Sequence, residues 1–122
     1  MKYELKEISK DNIEKYLNKY NFLHDGLITN INYDVLKSEI EVIIDAYYSE
    51  EQGIKDNKIR IRMVFGNVER CNSKELFSWD FINEAYFKYI KIENKEFICF
   101  SDNEDNPSVY IVCDSVKYEE LK

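Results

Sequence analysis

The chain has 122 residues, with 24 acids against 17 bases for a formal charge of −7, and 44% of it is hydrophobic. That length supplies a single domain, 1–122, able to bury a core without disulfides or a structural metal. The negative charge argues against a nucleic-acid binder, which needs a basic patch, and no apolar run approaches the ~20 residues of a membrane span. The opening Met1-Lys2-Tyr3-Glu4-Leu5-Lys6-Glu7 lacks the apolar stretch of a signal peptide, so a cytoplasmic protein is expected.

Asp11 with Glu14 forms a capping-box pattern, and Ile13, Tyr16, Leu17 and Tyr20 follow at the spacing of one helical face, which predicts a helix over 12–20. After Asp25-Gly26 the period becomes two. Leu27, Thr29, Ile31, Tyr33 and Val35 are expected on one side of a strand, with Asn30, Asn32 and Asp34 on the other. Ile40, Val42, Ile44 and Ala46 form the apolar side of a second strand, and Ile59, Ile61, Met63 and Phe65 that of a third; a polar loop, 49–57, joins them. As antiparallel neighbours these two strands would place Glu39, Glu41 and Asp45 on one outer face with Arg60 and Arg62, where cross-strand charge pairs can form.

The stretch 71–84 is irregular but too apolar for a free loop and reads as a crossing segment packed on the sheet. Residues 86–92 and 96–101 read as a hairpin about Asn94-Lys95. Its faces are both apolar, Ile90, Ile92, Phe97 and Cys99 on one and Phe87, Tyr89, Ile98 and Phe100 on the other. One face therefore needs cover from a helix, a second sheet or another copy of the chain in a homo-oligomer. After a polar turn at 102–107, Val109, Ile111 and Cys113 alternate with Tyr110 and Val112 in a last strand. The expected fold is α+β, an N-terminal helix packed on a mainly antiparallel sheet of about six strands.

Chemistry is sparse. The three cysteines, Cys71, Cys99 and Cys113, lack metal spacing and sit mostly in apolar alternation, as reduced core residues do. One histidine, His24, cannot supply a zinc motif or a multi-histidine centre, and no glycine-rich phosphate loop or nucleophile elbow is present, so neither a metal nor a cofactor is expected. His24 and Asp25 fall at a helix-to-strand corner, where a histidine bonding backbone groups is the plain reading and a small-molecule or hydrolytic site is the alternative. Asp102-Asn103-Glu104-Asp105-Asn106 lacks the spacing of a calcium loop.

The segment 101–120 carries Asp102, Glu104, Asp105, Asp114, Glu119 and Glu120 against Lys117 alone, a net of −5, with Tyr110 and Tyr118 among them. Acidic charge beside tyrosines suits docking of a basic protein partner, since tyrosine is enriched at interfaces and charge speeds encounter. A solvated acidic face is the competing reading.

The run Phe22-Leu23-His24-Asp25-Gly26-Leu27-Ile28, followed by strands and by Ile61-Arg62-Met63-Val64-Phe65-Gly66-Asn67-Val68, resembles a group of small bacterial domains with an HD pair, a β-meander and an F-x-x-V pattern, over about 1–70. Some of these are similar to immunity proteins of polymorphic toxin systems. The resemblance implies an inhibitor that works by occluding a toxin, with no catalytic residues to carry over. A non-enzymatic, toxin-neutralising interaction protein with an acidic docking surface is the function expected.

Overall fold

The computed structural model describes residues 5–9, 11–20, 23, 26–48, 58–71, 81–82, 86–101 and 110–121. Helix α1, Ile13–Lys19, lies inside the expected range, but the Asp11–Glu14 capping box does not close it. Asn12 does the local work instead. Its Oδ1 accepts the Ser9 amide and its Nδ2 donates to the Glu7 carbonyl, each at 2.8 Å, which ties the helix start to strand β1, Lys6–Ile8. Tyr16 and Tyr20 are buried and Ile13 and Leu17 pack beside them, as the helical spacing predicts.

Nine further strands follow among the described residues: β2 (Gly26–Asp34), β3 (Glu39–Tyr47), β4 (Lys58–Gly66), β5 (Arg70–Cys71), β6 (Phe81–Ile82), β7 (Tyr86–Ile92), β8 (Lys95–Ser101), β9 (Tyr110–Cys113) and β10 (Ser115–Leu121). They form two sheets, ordered β1-β10-β4-β3-β2-β6 and β5-β9-β8-β7, and every pairing is antiparallel. The α+β expectation is thus overturned: the protein is mostly β, with two sheets where one of about six strands was expected and one short helix among the described residues. The physical reason lies in the β7–β8 hairpin. With two apolar faces it cannot extend a sheet wetted on one side, so it starts a second layer.

That layer packs on the first through Ile98, Phe100, Ile111 and Cys113, which share one core with Ile40, Val42, Ile44, Ile61, Met63, Phe65 and Val116. The Phe65 and Phe100 rings meet at 5.2 Å between centroids. α1 covers the rest of the same inner face: Tyr16 lies 4.5 Å from Tyr118 and 6.1 Å from Phe87, and its hydroxyl donates to Met63 Sδ at 3.3 Å. The opposite hairpin face, Phe97, Cys99 and Val112 with Ile90, Ile92 and Tyr110, forms a separate smaller cluster.

Three local readings need correction. In β2 the register slips between Ile28 and Asn30, so Thr29 bulges, and its Oγ1 donates to the Ile43 carbonyl. The bulge puts Ile28, Ile31 and Tyr33 opposite the core-facing Ile44, Val42 and Ile40, while Leu27 falls opposite outward-facing Asp45; simple alternation had kept Leu27 with Ile31. The β7–β8 turn is Glu93-Asn94, both at positive φ, one residue earlier than expected. Finally, β9 is not the last strand, because β10 follows it and pairs with β4 along its whole length, between β4 and the short β1 in the larger sheet. The 49–57 loop, most of 71–84 and the 102–107 turn lie outside the described residues.

Candidate functional site

Strand β10 sorts the acidic C-terminal residues onto different faces. Glu119 points outward, is 7% exposed, and accepts from Arg62 at 3.0 Å; the same guanidinium reaches Glu41 at 2.9 Å. Next to them Arg60 binds Asp45 at 2.7 Å, so the cross-strand charge pairing expected from alternation is present. The Arg60 hydrogen bond holds the Asp45 carboxyl below its ordinary value. Glu120 points inward beside the end of α1, where it accepts hydroxyls from Tyr20 at 3.0 Å and Tyr48 at 2.5 Å and lies 3.8 Å from Lys19 Nζ. Burial first, and then the Glu120 carboxylate, pushes the Tyr48 phenol up to about 12 and raises that of Tyr20 further.

Tyr118 sits between these groups, its ring against Tyr16 and Tyr20. Asp114, at the β9–β10 junction, pairs with Lys95 at 3.1 Å, and Tyr110 packs on the outer face of the smaller sheet. The structure therefore brings Tyr118 and Glu120 together and separates them from Asp114, Glu119 and Tyr110. Asp102, Glu104 and Asp105, like His24 and Asp25, lie outside the described residues. The cysteines are free thiols. Burial raises Cys71 and Cys99 above the ordinary thiol value and takes Cys113 up to about 12, so none is a ready thiolate at neutral pH.

A different feature stands out at the β2–β3 hairpin. Its turn spans 35–38, closed by the Lys37 amide on Asp34 Oδ1, with Ser38 at φ 53°. Leu36 is 99% exposed, Val35 75% and Tyr33 43%. Adjacent apolar residues at a turn tip make a patch, which isolated exposed leucines do not.

Hydrogen bonds define what surrounds it. The Val68 amide donates to Ser38 O, the Asp114 amide to Gly66 O, and the Glu69 amide to Val112 O, so one end of the two sheets carries the tip, the 67–69 connection and Asp114 together. The Glu93-Asn94 turn leads into Lys95 at that end. Asp34, Glu39, Glu69, Glu93 and Asp114 outnumber Lys37, Arg70 and Lys95 there, with Asp114 paired to Lys95. Sequence reasoning placed Val35 on a buried strand face and passed over Leu36. The available signal was Val35-Leu36 directly before Lys37-Ser38, an apolar pair where a hairpin turn calls for polar residues.

Among the described residues no group of three histidines, cysteines or carboxylates is placed to hold a metal, and no helix is long and apolar enough to cross a membrane. Comparison with protein-family models, with curated proteins and with solved structures found no match to this chain.

Proposed function

We propose that this chain is a cytoplasmic, non-enzymatic protein-interaction domain that docks a basic partner, in the toxin-neutralising manner of immunity proteins. The observation that carries the reading is the β2–β3 tip, where Tyr33, Val35 and Leu36 are presented to solvent amid an excess of carboxylates. An apolar anchor ringed by charge divides the labour of an interface. The anchor supplies contact energy, and the charge raises the encounter rate with a partner of opposite sign. Rigid β-strands behind the tip lower the ordering cost of docking. Asp102, Glu104 and Asp105 belong to the acidic excess of the sequence, whose net charge of −7 favours a partner of opposite sign.

The test compares wild-type chain with Leu36→Asp and with the triple change Asp102→Lys, Glu104→Lys, Asp105→Lys, each used as bait in extract of the source cell. A basic protein retained by wild type, lost with Leu36→Asp and eluted by raised salt supports the reading. Identical retention on wild type and Leu36→Asp at every salt concentration contradicts it.

A further inference from the structure

We propose that the pocket between β1, α1 and β10 binds a small dianion, a phosphate monoester or a dicarboxylate, through Lys6, Lys15 and Lys19. This goes beyond the docking reading and shares no residue with the β2–β3 tip. The pocket holds about 250 Å³ and is lined by Lys6, Asn12, Lys15, Tyr16, Lys19 and Tyr118. Three lysines and no acidic residue line a concavity in a chain whose net charge is −7. Lys19 is partly engaged, 3.8 Å from Glu120 and over the rings of Tyr20 and Tyr48. Among the described residues no carboxylate lies within ion-pair distance of Lys6 or Lys15, so two positive charges remain to be matched.

The walls are already fixed. Asn12 spends its amide on Ser9 and Glu7, and the Tyr16 hydroxyl is spent on Met63, so these residues offer shape and an aromatic surface. Lys6 is held in register opposite Tyr118 by the β1–β10 pairing, and Lys15 and Lys19 rise one turn apart on α1. A compact doubly charged head would sit between Lys6 and Lys15, with a small apolar body against Tyr118. The volume suits a ligand the size of phenyl phosphate and is small beside the ~300 to 1,000 Å³ of drug-sized pockets. Because Lys6 and Lys15 are exposed at the mouth, binding is weak, on the order of 1 mM, and salt-sensitive.

The experiment titrates the isotope-labelled full chain with phenyl phosphate, inorganic phosphate and succinate, against sodium chloride at matched ionic strength, and reads amide shifts by NMR. Saturable shifts at Lys6, Lys15, Lys19 and Tyr118 with the dianions, weakened about tenfold in Lys6→Gln/Lys15→Gln and unchanged in Lys37→Gln/Lys91→Gln, are expected. Phenyl phosphate binding tighter than succinate assigns the phosphate class, and the reverse order assigns the dicarboxylate. Equal shifts with chloride, failure to saturate, or affinity indifferent to the Lys6/Lys15 change would overturn the site, and none of these results bears on the hairpin tip.

Discussion

Glu120 shows how one side chain in an acidic segment can serve the fold. Its carboxylate accepts two phenolic hydroxyls at the seam between α1, β3 and β10, and hydrogen bonds to a charged acceptor contribute about 1.5 to 3 kcal/mol each. Glu120→Gln keeps the shape and removes the charge, so a loss of about 1 to 2 kcal/mol in urea unfolding is expected. The tyrosines give a pH signature. Their phenols are raised in the folded state, so the stabilisation is complete below the unfolded value near 10 and is lost as pH rises from there through about 12 for Tyr48. Tyr48→Phe should flatten the alkaline limb of a stability profile taken between about pH 9 and 12, and parallel profiles for variant and wild type would refute the assignment. The Asp45 carboxyl works in the other direction, its contribution present at neutral pH and lost as pH falls below about 4. Asp45 is well exposed, so Asp45→Asn should cost no more than about 0.5 kcal/mol at neutral pH.

Turns and registers decide matters at the scale of elements. A Cβ on Gly26 would stand 2.9 Å from the Leu23 carbonyl oxygen and 3.1 Å from Ile44 Cγ2, and the backbone atom cannot step aside. Gly26→Ala is expected to cost about 1 to 3 kcal/mol, whereas Gly66→Ala meets only the Ser115 hydroxyl, which can rotate, and should cost less. Thermal melts of the two variants test that order. The β7–β8 turn holds Glu93 and Asn94 at φ 50° and 69°, and Glu is poorly suited to that region. Replacing the pair with Asn-Gly should raise stability by about 0.5 to 1 kcal/mol.

The alternating strands β3 and β4, the doubly apolar β8 and the helical stripe of α1 were legible because their apolar patterns coincide with burial. Three features were not. Thr29 bulges without a sequence mark, since the β-branched residue alternates as well as any other. β10 hid because Glu119 and Glu120 read as part of an acidic docking surface, although Val116, Tyr118 and Glu120 keep the strand period and each acid finds an internal partner. The two-sheet layout was foreshadowed by the doubly apolar hairpin, which required a covering layer without saying which.

For the whole molecule, one core spans both sheets, and Phe100 links them with no exposure at all. Phe100→Ala should cost about 3 to 5 kcal/mol, read as a shifted urea midpoint, and a smaller loss would mean that the layers do not share a core. The exposed tip was less legible than the core because Val35 and Leu36 break the rule that apolar residues go inside, and sequence reasoning uses that rule to assign Val35.

The central claim is that the β2–β3 tip meets a basic protein. It is tested most directly by placing a photo-crosslinking amino acid at Leu36, with Lys58, exposed at the opposite end of the larger sheet, as the control position. Irradiation in the source cell should yield a discrete adduct with a basic protein from position 36 and none from position 58. The same adducts at both positions, or none at position 36, would contradict it.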